Sequence, residues 1–365
     1  MTSARKRGAA PKRKSRQASG PDAPEPAHGR ATINDIARLA KVSKKTVSRV
    51  INHSPYVRDE TRDKISRVME KIGYAPDPQA RGLAFRRSFL IGMVYDNPNA
   101  QYIVTMQEGA LDALRGSGYE LVVHPCDRKS PDLVAGVRRF VTQQKLHGVI
   151  ILPPLSENQA LAAMLGEVGC RFVRVASAAV DEPGRMIMSD DRTATMEVAH
   201  YLESLGHRHI AIITGPRNFR SADERREGFL GGLARRGIKV PANRVLEGGY
   251  TFESGVACAE RLLALKPRPT AIFASNDEMA AGVYRTALRL GLSIPGDLSI
   301  VGFDDTPIAA RLWPALTTVR LPIRDIGRSA ASMLIAEPER AESMARAAGQ
   351  VMLHFVVRDS CQSPR

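Results

Sequence analysis

Beyond residue 88 the chain has one repeating texture. Short apolar runs rich in Val, Ile and Leu stand at 90–94, 121–123, 149–152, 172–175, 210–213, 271–274 and 299–303. Between them lie helix-length segments such as 103–115, 196–205, 224–235, 254–265 and 279–290. A strand that is apolar at every position must be covered on both faces. Strands separated by helices pair in parallel, so the alternation predicts βαβ units rather than a sandwich or a bundle. Residues 89–358 hold too much of this texture for one small sheet. Two doubly wound halves are predicted, with a ligand cleft between them at the carboxyl ends of the strands.

The region before this body reads differently. In residues 32–52 (TINDIARLAKVSKKTVSRVIN), Ile33, Ile36, Ala37 and Ala40 recur at helical spacing and give a short first helix one apolar stripe. Thr32 and Asp35 stand at capping-box spacing. Lys41-Val42-Ser43 makes a tight turn, with Ser43 as cap of a second helix. Val47, Val50 and Ile51 face inward on that helix, leaving Lys44, Lys45, Thr46, Ser48, Arg49 and Asn52 outside. Two short helices crossing over a three-residue turn form a helix-turn-helix, and so donor-rich a second helix can enter a major groove and read base edges. The pattern alone also admits a surface αα-corner with a solvated basic face.

Charge favours the first of these readings. The net charge is +15. Residues 1–30 hold 8 Lys/Arg against 2 Asp/Glu, and residues 31–90 hold 13 against 6, which leaves only +2 for the rest of the chain. A basic head on a nearly neutral body suits a polyanion-binding module fused to a part with another task. Cys126, Cys170, Cys258 and Cys361 are scattered without a C-x-x-C pair, which argues against a disulfide framework or zinc site and fits a reducing compartment. His207-Arg208-His209 lacks a neighbouring carboxylate or cysteine cluster, so neither a metal nor another cofactor is expected. No apolar run approaches the roughly 18 residues of a membrane span, and the basic start has no apolar signal core behind it. A soluble cytoplasmic protein, associated with the nucleoid, is expected.

The chain divides accordingly. Residues 1–31 lack an apolar period and read as a disordered basic tail. A DNA-binding domain over 32–75 includes a third helix within 57–74, with Ile65, Val68, Met69 and Ile72 as its apolar face and Gly73 as its stop. Residues 76–88 read as a linker. Within it 79–85 is too short for a stable helix alone but can become helical on a partner, with Asp77 as cap and Pro78 at the first position. The body fills 89–358, and 359–365 is set apart as a C-terminal tail.

At this point the residues resemble a known family. Residues 32–52 followed by TRDKISRVMEKIGYAPDPQARGLA resemble the DNA-binding head of the lactose-repressor (LacI/GalR) family. Downstream, LGHRHIAIITGP, ADERREGF, GGYTFESG, PTAIFASNDEMAAGV, DLSIVGFDDTPIA and LTTVRLP resemble its regulatory body, in the expected order. The resemblance spans about residues 32–358 and is specific as a set. It implies an all-α helix-turn-helix head and an α/β body of two doubly wound parallel-sheet subdomains, like the periplasmic sugar-binding proteins. It also implies a homodimeric repressor on double-stranded operator DNA, whose affinity is controlled by a small effector, a mono- or oligosaccharide, held between the subdomains. The lactose repressor itself ends in a leucine-heptad helix that makes tetramers. This chain ends HFVVRDSCQSPR without heptads, which points to a dimer.

Matched residue by residue, the resemblance puts Lys44, Lys45 and Arg49 at base-reading positions and Thr32, Ser43, Thr46, Ser48, Asn52 and Thr61 at phosphate-holding ones. Residues 79–84 match the hinge helix, where Arg81 joins the DNA contacts and Leu83 matches the leucine that wedges into the central minor-groove step. Gly82 stands where the family often has a polar residue, which weakens that helix. In the body the resemblance implies effector contacts from Arg225, Asn276 and Asp304, with Tyr250 as an aromatic plate and Asp96, Arg174 and Phe219 as further lining. Asp277 and Asp305 have helix- and loop-capping as their plainer reading. An enzyme is disfavoured: no P-loop, no G-x-G-x-x-G after a strand and no G-x-S-x-G elbow is present. A periplasmic binding protein is disfavoured by the DNA-binding head. A purine corepressor stays open beside a sugar.

Overall fold

The structure is a computed structural model that describes residues 31–51, 56–74, 88–337 and 350–364. It falls into two compact units, Met1–Pro76 and Asp77–Arg365. The basic tail at 1–30, Asn52, Arg81, Leu83 and nearly all of the 76–88 linker lie outside the described residues.

In the first unit, α1 (Ile33–Ala40), α2 (Lys44–Ile51) and α3 (Asp59–Lys71) close on a small core. Ile36, Ala37, Ala40, Val47, Val50, Ile51, Val57 and Ile65 are buried there, with Val68, Met69 and Ile72 packed against them. The Asp35 carboxylate accepts both the backbone N–H (3.0 Å) and the hydroxyl (2.7 Å) of Thr32, which fixes the first turn of α1. Lys41 closes α1 in the left-handed conformation (φ +52°), and the Ser43 hydroxyl accepts the Thr46 N–H (3.1 Å) to open α2. Gly73, at φ +63°, ends α3, where a residue with a Cβ would be strained.

The second unit holds two parallel sheets. β1 (Leu90–Tyr95), β2 (Glu120–Pro125), β3 (Gly148–Ile151), β4 (Arg171–Ala176), β5 (Met186–Ser189) and β11 (Gln350–Val351) form the first, in the order β11-β5-β4-β3-β1-β2. β6 (Ile210–Thr214), β7 (Val245–Glu247), β8 (Ala271–Ala274) and β9 (Ser299–Val301) form the second, in the order β7-β6-β8-β9. Alternate residues point to opposite faces, and both faces are covered. Ile150 joins one core with Met106 and Ala110 of α4 (Ala100–Leu114), whereas Val149 and Ile151 join another with Val137 and Val141 of α5 (Leu133–Gln144). Likewise Ile212 faces Phe229 and Leu233 of α8 (Arg220–Arg235), while Ile213 faces Cys258 and Leu262 of α9 (Phe252–Leu263). The short β5, β7 and β11, and the antiparallel pair β10 (Thr318–Arg320) and β12 (His354–Val356), carry too little apolar pattern to be seen in the sequence.

The chain passes between the halves three times among the described residues. It leaves the first sheet after β5, and α7 (Asp191–Ser204) packs on α8 of the second half. It returns between β10 and α12 (Ile323–Ile335), which packs on α4, and crosses again between β11 and β12. Residues 359–362, set apart in the sequence as part of a tail, are built into the second half instead. Ser360 is fully buried, accepts the Thr317 N–H (2.8 Å) and donates to the Ile300 carbonyl, while Gln362 receives the Ser299 hydroxyl (3.1 Å). Short polar residues give no apolar signal, which is why this pairing was not legible.

Candidate functional site

On the head, α2 presents Lys44, Lys45 and Arg49 fully outward, with Thr46 and Ser48 half-buried beside them and Thr61 half-buried on α3. The Ser43 and Thr46 hydroxyls share a 2.8 Å hydrogen bond. The exposed cations thus stand on the face opposite the core, where a duplex can meet them.

In the body, each sheet has a switch point where strand order reverses, between β1 and β3 and between β6 and β8, and ligands of such sheets bind beyond the strand ends there. A cavity lies at those ends. Of the seven body residues named from the resemblance, Phe219, Arg225, Tyr250, Asn276 and Asp304 line it. Asp96 and Arg174 do not. Arg174 is 1 % exposed and clamps the chain behind β4, donating to the carbonyls of Ser156 and Val180 (2.5 and 3.0 Å) and to Asp181 (3.1 Å). Asp96 accepts the Arg128 N–H (2.9 Å) outside the cavity. The reading of Arg174 and Asp96 as lining therefore needs correcting: both sit at strand ends near the cleft, and strand position does not say to which side a chain turns.

Arg225 organises the cavity. Its helix α8 lies so close to α7 that a Cβ on Gly228 would stand 2.2 Å from the Arg192 carbonyl. That approach sets Asp191, at the start of α7, against Arg225: Nε donates to Oδ2 at 2.7 Å. Nη1 donates to the Ser275 carbonyl (2.6 Å) and stands 3.7 Å from Asp304 Oδ1, while the guanidinium carbon lies 3.6 Å from the Phe303 ring centroid. Tyr250 is buried beside it because Gly215 leaves room; a Cβ there would be 2.1 Å from the Tyr250 ring. Phe219 meets Tyr250 edge to face, centroids 5.4 Å apart. Asn276 caps α10 (Asp277–Arg289), accepting the Met279 N–H (2.9 Å) and donating to the Tyr250 carbonyl (3.0 Å).

Backbone strain gathers here. Lys41 and Lys145 take positive φ as ordinary helix C-caps, but Tyr250 (+62°), Asp304 (+108°) and Asp305 (+56°) do so at or beside the cavity. Such geometry costs of order 1–3 kcal/mol and persists where a site demands it. Burial pushes the Asp304 carboxyl up to about 8 in spite of Arg225, and pushes Asp277 up to about 7. Asp277 is a structural tie: it accepts the N–H and hydroxyl of Thr306 (2.7 and 2.9 Å) and the hydroxyl of Thr318 (2.7 Å). Asp305 is likewise held between Arg320 (2.7 Å) and Arg358 (2.6 Å).

The two halves touch across the cleft. Asn99 donates to Asp304 Oδ2 at 3.4 Å, Glu157 accepts the Arg220 N–H at 3.0 Å, and Arg128 lies 5.0 Å over the Phe219 ring. Asn97, Asn99, Ser177, Ser189, Asp191 and Ser221 add to the polar lining and were not singled out in the sequence. Asn97 and Asn99 follow directly on β1, so strand ends at the switch point were the available signal. The buried His207 ring bridges the Thr270 and Ser299 hydroxyls (2.9 and 3.1 Å), and no group of metal-binding side chains occurs among the described residues. No helix there is long and apolar enough to cross a membrane.

A helix-turn-helix head on a body with a polar, strained cleft between two parallel sheets defines a ligand-responsive DNA-binding regulator. Comparison with known proteins places it further. Residues 32–77 match the bacterial regulatory proteins of the lacI family, and residues 199–361 match a periplasmic binding protein-like domain. The probable HTH-type transcriptional repressor ExuR of Bacillus subtilis is 33% identical over 338 residues, covering 90% of this chain and 98% of that protein. The ribose operon repressor of Haemophilus influenzae is 30% identical over 305 residues, 84% of this chain and 91% of that one. Among solved structures, the lac repressor dimer bound to operator and the anti-inducer ONPF superposes with a TM-score of 0.75 at 26% identity, covering 92% of this chain and all of that one. The regulator CelR in complex with cellobiose gives 0.64 at 27% identity, covering 91% of this chain and all of that one. The chain belongs to the lacI family of bacterial transcriptional regulators.

Proposed function

We propose that the protein is a cytoplasmic repressor of carbohydrate-utilisation genes, which binds a pseudo-palindromic operator as a dimer and changes operator affinity when a sugar enters the cavity. The observation that carries this reading is the cavity itself: Arg225, Asn99, Asn276, Asp191 and Asp304 offer fixed donors and acceptors around the aromatic walls Phe219 and Tyr250. Paired donors and acceptors beside a flat apolar face are what a ring of hydroxyls needs. The names of the relatives support it, a ribose operon repressor and a cellobiose-bound regulator among them. An effector shifts operator affinity only as far as it prefers one body conformation over the other. Lys44, Lys45 and Arg49 read base edges, with Thr32, Ser43, Thr46, Ser48 and Thr61 on phosphates, and Asn52, Arg81 and Leu83 complete the contact set proposed from the sequence. One head reads too few bases for genomic specificity, so two half-sites are needed.

Selection of bound fragments from genomic DNA, followed by footprinting, tests this. A single symmetric footprint with steep salt dependence, lost on adding one of a panel of sugars, is the expected result. Equal affinity for random DNA, or release by hypoxanthine or guanine and by no sugar, overturns it.

A further inference from the structure

The charges that face the cavity do not balance. Among the described lining residues, Arg225 is the one cation and Asp191 and Asp304 are the two anions. The Arg225 charge is already matched by Asp191 at 2.7 Å, and Asp304 stands off at 3.7 Å. The neighbouring arginines are committed elsewhere. Arg128 pairs with Asp96 (3.4 Å), Arg174 with Asp181 (3.1 Å), Arg220 with Glu224 (3.1 Å) and Arg192 with Glu224 (2.6 Å). Asp304, 5 % exposed, is therefore a surplus carboxylate held by one long hydrogen bond from Asn99 and a strained backbone. Once Asp304 is ionised, a ligand bringing a second negative charge into this enclosure meets a surplus one of the same sign; while Asp304 keeps its proton the enclosure is neutral and still has no free cation to hold an anion.

Resting on the sugar reading above, we propose that the cavity takes a polyhydroxy effector that carries no negative charge, and that Asp304 is the residue that excludes the carboxylated and phosphorylated counterparts of that sugar. The hydroxyls of an uncharged sugar can donate to Asp304 and accept from Arg225 and Asn99 without adding charge. The buried Ser177 hydroxyl, which lines the cavity and makes no hydrogen bond within the protein, offers a further partner. The groups that bear on the Asp304 carboxyl are Arg225, which favours its ionised form, and Asp277, Asp191 and Glu278, which oppose it. Because burial holds Asp304 up to about 8, the exclusion sharpens as the solution becomes more alkaline.

Matched pairs test this on the full-length protein by thermal shift and titration calorimetry: glucose with glucuronate and glucose 6-phosphate, galactose with galacturonate, and ribose with ribose 5-phosphate. The expected result is binding by at least one uncharged member, with its anionic partner at least about tenfold weaker, a gap of about 1.4 kcal/mol, that widens from about pH 6 to about pH 9. In Asp304→Asn the gap should narrow and lose its pH dependence. An anionic member that binds as tightly as its uncharged partner overturns the inference and leaves the sugar reading standing. Binding of hypoxanthine or guanine and of no sugar overturns both, as does silence from every pair. The wild-type ratio alone decides the matter should Asp304→Asn not fold.

Discussion

The Glu157 carboxylate, on the side of the first sheet, accepts the backbone N–H of Arg220 at 3.0 Å and so caps the opening turn of the helix that carries Arg225. Phe219, at the N-cap itself, has no side chain to do this. The cap of a helix in one half is thus supplied by the other half, so this contact ties the two halves across the cleft.

Glu157→Ala should therefore weaken effector binding with little effect on the fold. Loss of a cap costs about 0.5–2 kcal/mol, which corresponds to roughly two- to thirtyfold in Kd if the whole of it falls on closure. Calorimetric titration of the variant with the identified effector measures this, and an unchanged Kd would show that the contact plays no part in closure.

Arg225 and Asp191 form a buried pair, so they should behave as one unit. Arg225→Ala leaves the Asp191 charge without its partner, and removing one member of such a pair costs about 3–5 kcal/mol. Asp191→Asn in the same background should recover part of that loss, since the stranded charge is gone. Denaturant unfolding of both single variants and the double variant completes the cycle. Simple additivity would mean that the 2.7 Å contact carries no coupling.

Much of this arrangement was legible beforehand and some was not, for physical reasons. The alternation of apolar runs and helices announced two doubly wound halves because period and burial are local properties of sequence. Arg225, Asn276, Asp304 and Tyr250 stood in strings that resemble the family, Phe219 between two of those strings, and the fold brings all five to one cavity. Asp191 was missed because its partner lies 34 residues away and only the close approach of α7 and α8 at Gly228 joins them. Arg174 was misread because an arginine in a strand can turn into a cleft or back onto its own loops, and three carbonyl and carboxylate acceptors behind β4 decide for the latter.

Three buried carboxyls should make stability fall as pH rises towards about 8, most plainly above about 6.5, where the opposing gain from His124 and His207, both held below the usual imidazole range by burial, is complete. The Glu157 carboxyl is pushed up to about 7, that of Asp277 to about 7 and that of Asp304 to about 8, in each case chiefly by burial. A carboxyl whose folded pKa lies above its unfolded value binds its proton more tightly in the folded chain. Stability then declines through the window between the two values, and the whole penalty is present above the upper one. Thermal unfolding at constant ionic strength across that range checks the sign. Asp304→Asn should flatten the alkaline end of the profile; a profile rising towards pH 8 would contradict the assignment.

The head offers the test that separates reading from holding. Arg49 is exposed on the outward face of α2, a little over one turn from the exposed Lys44 and Lys45 near its start. A bidentate contact from Arg49 to a guanine would be worth about 1–3 kcal/mol of discrimination at one base pair in each half-site. Arg49→Ala should therefore lower operator affinity and relax preference at that position alone, while affinity for random duplex changes little. A phosphate contact behaves otherwise: its loss weakens all sequences alike and lowers the salt slope by about one. Fluorescence anisotropy with a set of single-base operator variants at two salt concentrations distinguishes these cases. An equal loss on every variant would place Arg49 on the backbone and leave Lys44 and Lys45 as the base readers.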